Sequence, residues 1–357
     1  MVVTGTLLVA VLVAATVLVT ARWRVVGTVV EASARWADAD IVLRISDGER
    51  HRDWYHGGSD AEQVAPGPLS RFRIGSITKT FVATVVLQLV DEGRIALDAP
   101  IATQLPDAIP GGDRMTVRQL MNHTSGLYDY MKEPGLSTNR WRGAERFDQH
   151  APRELLAVAV GHEPYFAPGE RFRYSNTNYL VLGLLIEHVT GHRYGDEIRD
   201  RILTPLRLTA TTVPGDDPGV PEPALTARRD VDGLGRVAVT EMNVSLDWAA
   251  GEMISTLADL EAFFAALLGG RLTSPSALEQ MRRTVPMGMG FHYGLGLQRF
   301  DPPCGAALWG HGGELLGYVS SAFRSDDGRS LTMVVGSAAS GDALSLFATV
   351  TAAYCLA

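Results

Sequence analysis

Apolar positions along this chain change rhythm several times, and each rhythm predicts a different element. Val2 to Ala21 carries no charge and is mostly Val, Leu, Ala and Thr. A run of that length can span a bilayer and exceeds a usual signal core. Val19-Thr20-Ala21 and Ala32-Ser33-Ala34 supply the small residues that signal peptidases favour. Arg22 and Arg24 follow the run and no basic residue precedes it, which by charge alone would hold the following chain in the cytoplasm. The expectation is nevertheless export, with residues 1–34 a signal peptide or N-terminal anchor plus linker and the rest extracytoplasmic, secreted or anchored.

Ile41 to Ile45 reads as a strand closed by an Asp47-Gly48 turn, and Phe72 to Ile74 as a short strand end. Ser76 to Glu92 reads as a helix stopped by Gly93, apolar nearly all round and therefore buried. Residues 95–240 read as helices joined by Pro, Gly and Asp loops, with a buried helix at Leu180 to Val189. Ala249 to Leu268 reads as a helix. Short β-like runs follow at Tyr293 to Phe300, Ala306 to Trp309, Tyr318 to Phe323 and Leu331 to Val335, then a helix from Asp342 to Tyr354. The predicted architecture is α/β (α+β). A mostly antiparallel sheet flanked by helices is made from residues 35–94 and 241–357, and a mainly helical domain, 95–240, is inserted between them.

Composition narrows the function. The 357 residues are 46% hydrophobic and 20% charged, which is globular, and the net charge of −8 offers no basic field for nucleic acid. Phosphate-loop and dinucleotide glycine patterns are missing, and no Cys/His cluster has zinc spacing. No metal or organic cofactor is implied. Acidic residues such as Glu187, Asp196 and Glu197 read as solvated helix faces. Cys304 and Cys355 suit an oxidising compartment as a bridge, or are two buried thiols.

Positive charge is spent almost entirely on arginine: of 32 Lys and Arg, only Lys79 and Lys132 are lysines. Arginine keeps its proton in a protein, whereas a buried lysine can release it. Lys79 lies three residues after Ser76, so both share one face of the helix's first turn. That is the arrangement Ser-x-x-Lys nucleophilic chemistry needs. Two further clusters follow at long range: Tyr174-Ser175-Asn176 before a helix, and His311-Gly312-Gly313-Glu314 soon after Cys304. Taken singly, the second is an ordinary turn with a packed tyrosine and the third a tight turn beside a strand.

In this order and at these separations, the three clusters resemble those of the serine penicillin-recognising hydrolases: D-alanyl-D-alanine carboxypeptidases, class C β-lactamases and related esterases. Leu120-Met121-Asn122-His123-Thr124-Ser125-Gly126-Leu127 is similar to the family's His-x-Ser-Gly-Leu stretch, and Tyr293-Gly294-Leu295-Gly296-Leu297 to its final-sheet motif. Tyr174 to Asn178 is similar to the secreted Streptomyces-type carboxypeptidases. The resemblance implies acylation of Ser76, with Lys79 or Tyr174 taking its proton and Tyr174 protonating the leaving group. It implies that Asn176 holds the substrate amide or orients Lys79, that His311 favours the Tyr174 shuttle and an electropositive pocket, and that Trp248 is an aromatic wall. Gly312, Gly313 and Glu314 would form the substrate edge, with the N–H groups of Ser76 and Glu314 as oxyanion donors. The resemblance also implies a Cys304–Cys355 disulfide and a small peptide, ester or β-lactam substrate. A monomer with no nucleic-acid partner is expected, with a possible membrane anchor.

One departure matters. Carboxypeptidases of this kind hold a free substrate carboxylate with an arginine just after the Tyr-Gly-Leu-Gly-Leu segment. Here that residue is Gln298, and Arg299 beside it should face the other side of a strand. Carboxylate recognition is therefore expected to be weakened, with esterase or D-amino-acid amidase and peptidase activity as the alternative. A non-catalytic penicillin-binding or sensing protein is the second alternative.

Overall fold

The computed structural model describes residues 40–48, 50–57, 66–106, 108–302 and 305–337, with isolated positions between 24 and 32 and Cys355. The expected membrane-length run at Val2 to Ala21, Cys304 and the expected helix from Asp342 to Tyr354 lie outside these residues. Among the described residues, no helix is long and apolar enough to cross a membrane.

Eight strands form one antiparallel sheet in the order β2-β1-β12-β11-β10-β9-β8-β7. They are β1 (Asp40–Ser46), β2 (His51–His56), β7 (Val285–Gly288), β8 (Phe291–Tyr293), β9 (Gln298–Phe300), β10 (Leu308–Leu315), β11 (Tyr318–Ser325) and β12 (Ser330–Gly336). The sheet thus joins the two ends of the chain, with β1 pairing β12 from Asp40↔Gly336 to Ser46↔Ser330. β1 and β12 are buried along their whole length, as strands covered on both faces must be. Arg44 is tolerated there because its guanidinium makes two hydrogen bonds to Asp53 across the ladder, at 2.7 and 2.8 Å.

The Thr78–Asp91 helix follows a 3-10 turn, Gly75–Ile77, and is buried over most of its length, as its all-round apolar pattern predicts. Phe81 stacks on Phe263 of the Leu257–Leu268 helix at 3.7 Å, tying together two helices of the core. The buried helix expected at Leu180 to Val189 runs Thr177–Thr190 and ends on Gly191 at φ 77°, where a left-handed residue closes it cheaply.

Three segments differ from expectation. The Ala249 to Leu268 helix begins only at Leu257, because Thr256 caps it by accepting the Asp259 N–H. Before it, Ile254–Ser255 (β6) pairs instead with Phe72–Arg73 (β3). The run Tyr293 to Phe300 is not one strand. Gly296 at φ +71° and the Gly294 N–H to Leu297 C=O bond of 2.7 Å fold it into a turn between β8 and β9. Within 95–240, Arg228–Val231 (β4) and Gly235–Ala238 (β5) form a hairpin around Gly233 and Gly235, both left-handed.

Candidate active site

The first turn of the Thr78–Asp91 helix sets Ser76 and Lys79 side by side, with Lys79 Nζ 2.9 Å from Ser76 Oγ. The same nitrogen lies 2.9 Å from Asn176 Oδ1 and 2.6 Å from the Ala250 carbonyl. Both of these oxygens can only accept, so they take two N–H bonds, and the third tetrahedral position faces Ser76. Tyr174 donates its hydroxyl to Ser76 Oγ at 2.8 Å. Two segments far apart in sequence therefore converge on one hydroxyl, and a third, at Ala250, holds the amine beside it.

Charge is tuned by burial. Lys79 is fully enclosed, which lowers it to about 7, while Asp247 and Asp129 nearby resist a further fall. The same burial pushes the Tyr174 phenol well above its ordinary range, so it stays protonated. Lys79 is the group of the trio that exchanges a proton near neutrality.

Asn176 is held for its task. Its backbone N–H and its side-chain amide both reach Asp129 Oδ1, at 3.1 and 3.3 Å, leaving Oδ1 of the amide to Lys79. His123 supports the Tyr174 loop from behind. Its Nδ1 accepts the Ser175 N–H and lies 2.9 Å from Asn178 Nδ2, and its ring stacks on Tyr174 at 4.1 Å. Asp129, Ala250 and this supporting role of His123 were not legible from residue spacing. An acceptor carbonyl leaves no trace in side-chain pattern, and Asp129 gave no motif of its own.

The His311-Gly312-Gly313 cluster lies inside β10 rather than in a turn. A Cβ on Gly313 would sit 1.9 Å from the Ile74 carbonyl oxygen, and one on Gly75 (φ +51°) would sit 2.8 Å from Glu314 N. The glycines therefore let the nucleophile turn lie directly against β10, bringing the Glu314 main chain beside Ser76. The Glu314 side chain is exposed.

Two expectations need correction. His311 is fully buried and reaches Tyr293 OH (2.8 Å) and the Gly312 carbonyl (2.5 Å) instead of Tyr174. Burial lowers it to about 3, so it is neutral and gives the pocket no positive charge. Trp248 turns its indole toward Gly183 and onto Tyr194 (4.7 Å, edge-on), where it lines a different cavity instead of forming a wall beside Ser76. Gln298 is spent locally, accepting the Gly312 N–H at 3.1 Å. Arg299 points away along the strand, as expected, pairing with Asp301 at 2.8 Å and lying over Trp309.

The family model described as Beta-lactamase matches residues 30–349. The chain belongs to the Beta-lactamase family, whose members are serine hydrolases. Its fold matches a D-stereospecific amidohydrolase from Streptomyces sp. at TM-score 0.83 and 39% identity, covering 92% of this chain and 98% of that one. It also matches the D-amino acid amidase of Ochrobactrum anthropi SV3 at TM-score 0.83 and 27% identity, covering 94% and 98%. Among curated relatives, penicillin-binding protein 4 of Amycolatopsis lactamdurans is 29% identical over 300 residues, 73% of each chain. The putative penicillin-binding protein PbpX of Bacillus subtilis (strain 168) is 28% identical over 64% of this chain, which spans only 55% of its length.

Proposed function

We propose that this member of the Beta-lactamase family hydrolyses small amides, peptides or esters through an acyl-enzyme at Ser76. The observation that carries the reading is the Lys79 environment: a fully buried amine near neutral pKa, held by two acceptors with its remaining direction on Ser76 Oγ. Neutral Lys79 removes the Ser76 proton as the oxygen attacks the acyl carbon. The oxyanion is received by the Ser76 and Glu314 N–H groups; one such donor is typically worth ~3–4 kcal/mol of transition-state stabilisation. Tyr174 passes its proton to the leaving group, and the Lys79–Tyr174 pair then activates water to release the acid.

The substrate class follows from charge. Gln298 replaces a guanidinium, Arg299 is turned away and His311 is neutral, so a free substrate carboxylate gains little near β9 and β10. An uncharged C-terminal amide or ester suits this edge better than a carboxylate. The two amidohydrolase relatives support D-configured amino-acid amides as the first substrates to try. We read residues 1–34 as an export or anchoring segment, which places the site outside the cytoplasm.

The test is a side-by-side assay of D-phenylalanine amide, a p-nitrophenyl ester, nitrocefin, and an acyl-D-Ala-D-Ala peptide with its C-terminal amide. The amides and ester should be turned over, and Ser76→Ala should abolish labelling by a fluorophosphonate. A strong preference for the free-acid peptide over its amide defeats the substrate reading. Failure of Ser76 to label with any acylating probe defeats the catalytic one.

A further inference from the structure

The loop that holds Lys79 has a second working face. On one side of it, Ala250 C=O accepts from Lys79 and the Met253 N–H donates to Thr78 Oγ1 at 3.2 Å. On the other, Trp248 and Glu252 line a cavity of about 580 Å³, which Ser76, Lys79 and Tyr174 do not line. Glu187, also in its wall, is eleven residues along the helix from Asn176. At 1.5 Å per residue, that is about 16 Å from the catalytic amide. Glu187, Asp196 and Glu197 do not form the plain solvated face expected from sequence. Glu197 is buried against Arg201 and His192, and Glu187 is half-buried, accepting the Tyr194 N–H.

Glu252 is 1% exposed. Its Oε1 accepts the Tyr194 hydroxyl, whereas its Oε2 has no hydrogen-bond partner. A buried carboxyl left half-satisfied is costly, and an incoming cation would relieve it. Burial pushes this carboxyl up to about 8, although the Gly215 N–H and the Arg193 and Arg73 charges draw it down. Charge in the wall has a sign. Arg199 is neutralised by Asp196 at 2.5 Å, which leaves Glu187 and Asp216 facing Arg193, while Glu252, protonated at neutral pH, gives up its proton to water as a cation arrives beside it. His150, lowered by burial, adds no charge at neutral pH. Trp248 and Tyr194 supply adjacent aromatic rings of the kind that attract cations.

We propose that this cavity is a second binding site for a small organic cation bearing a guanidinium or primary ammonium group, with Glu252 as its anion and Trp248 and Tyr194 as its aromatic wall. The inference does not depend on which acyl group the Ser76 site accepts, because it concerns other residues and is read by binding alone.

The test uses the full chain and two isosteric probes, n-butylguanidine and its neutral counterpart n-butylurea, in titration calorimetry. The cation should bind saturably, one per chain, at least about tenfold more tightly than the urea, a difference of about 1.4 kcal/mol. Glu252→Gln, checked for folding by circular dichroism, should lose that preference. Equal affinity for the two probes on the native chain overturns the proposal without recourse to any variant. So does a cation that fails to saturate at about 10 mM, the outcome expected if water alone fills the space beside Oε2. A folded Glu252→Gln chain that binds the cation as tightly as the native one overturns it as well.

Discussion

Lys79 answers two opposed demands. Its chemistry requires a neutral amine, and the enclosure that neutralises it penalises the fold whenever the amine is charged. The kinetic consequence is an acid limb: kcat/KM should rise with pH through about 7 and level off above it, since only neutral Lys79 can take the Ser76 proton. Lys79→Arg should lose about a thousandfold in kcat and not recover at high pH, because a guanidinium keeps its proton. A profile that is flat from pH 5 to 9 would contradict this role. The thermodynamic consequence has the reverse appearance. Lys79 titrates near 7 in the folded chain but near 10.5 when unfolded. Between those values the unfolded chain binds the extra proton, so this residue makes stability climb with pH across that window. Asp247 and Glu252 act oppositely. Their carboxyls are raised to about 7 and 8, so the stability they contribute is complete below their ordinary values of 3.8 and 4.5 and is lost as pH rises through the raised ones. Lys79→Met should therefore remove the climb above pH 7. It should also stabilise an inactive protein at pH 6 to 7 by roughly 1–4 kcal/mol, as replacement of buried charges by apolar groups often does. Denaturant melts of both proteins across pH 6 to 10 measure it, and parallel curves would show that the Lys79 titration is not linked to folding.

Elements matter here chiefly through how closely they approach. The nucleophile turn and β10 touch main chain to main chain at Gly75 and Gly313, with no room for a Cβ at either. Gly75→Ala must push the turn away from Glu314 and also strain φ at +51°. Separating the two oxyanion N–H groups should cost about a hundredfold in kcat. The substrate KM should change far less, because groups distant from the oxyanion still bind. Near-native kcat for a folded Gly75→Ala protein would show that Glu314 N–H is not a donor to the reaction. Sequence pattern could not reveal this contact. It showed the Ser76–Lys79 face because both residues lie on one helical turn, where spacing is geometry. Taken singly, His311-Gly312-Gly313 read as a tight turn, because glycine runs usually make turns, and only its order with the other two clusters marked it as part of a site. In the fold the same glycines lie in a strand, selected by the chain crossing over them. The Ala249 to Leu268 run misled for a related reason: its apolar residues serve β6 pairing and the Lys79 loop before Thr256 allows a helix to begin.

At the scale of the molecule, the strand runs near both termini were readable as one body because each carried β-branched or alternating residues too short for a helix. Their pairing, β1 on β12, is what puts the two ends of the chain into a single sheet. Such a sheet closes a long loop, and its last strands are released first if the C-terminal segment comes away. The cysteine positions bear on this. Cys304 precedes β10, the strand packed against the nucleophile turn, and Cys355 follows β12 by some twenty residues. No described cysteine carries a free thiol. We propose that the two are bridged, as the family resemblance implies, which would clamp the C-terminal segment to the chain entering β10. Cross-linking a loop of about 50 residues contributes ~4 kcal/mol in the chain-entropy picture. For a chain of this length that corresponds to roughly 6 °C in melting temperature. Protein made in an oxidising compartment should resist thiol alkylation under denaturing, non-reducing conditions. Cys304→Ser with Cys355→Ser should melt about 6 °C lower and lose activity on heating before the bulk helical signal falls, because β10, the strand packed against the nucleophile turn, loosens from its Leu308 end. Two alkylated thiols in the oxidised protein, or a double variant that melts with the native chain, would remove the clamp and leave β10 held by its strand pairing alone.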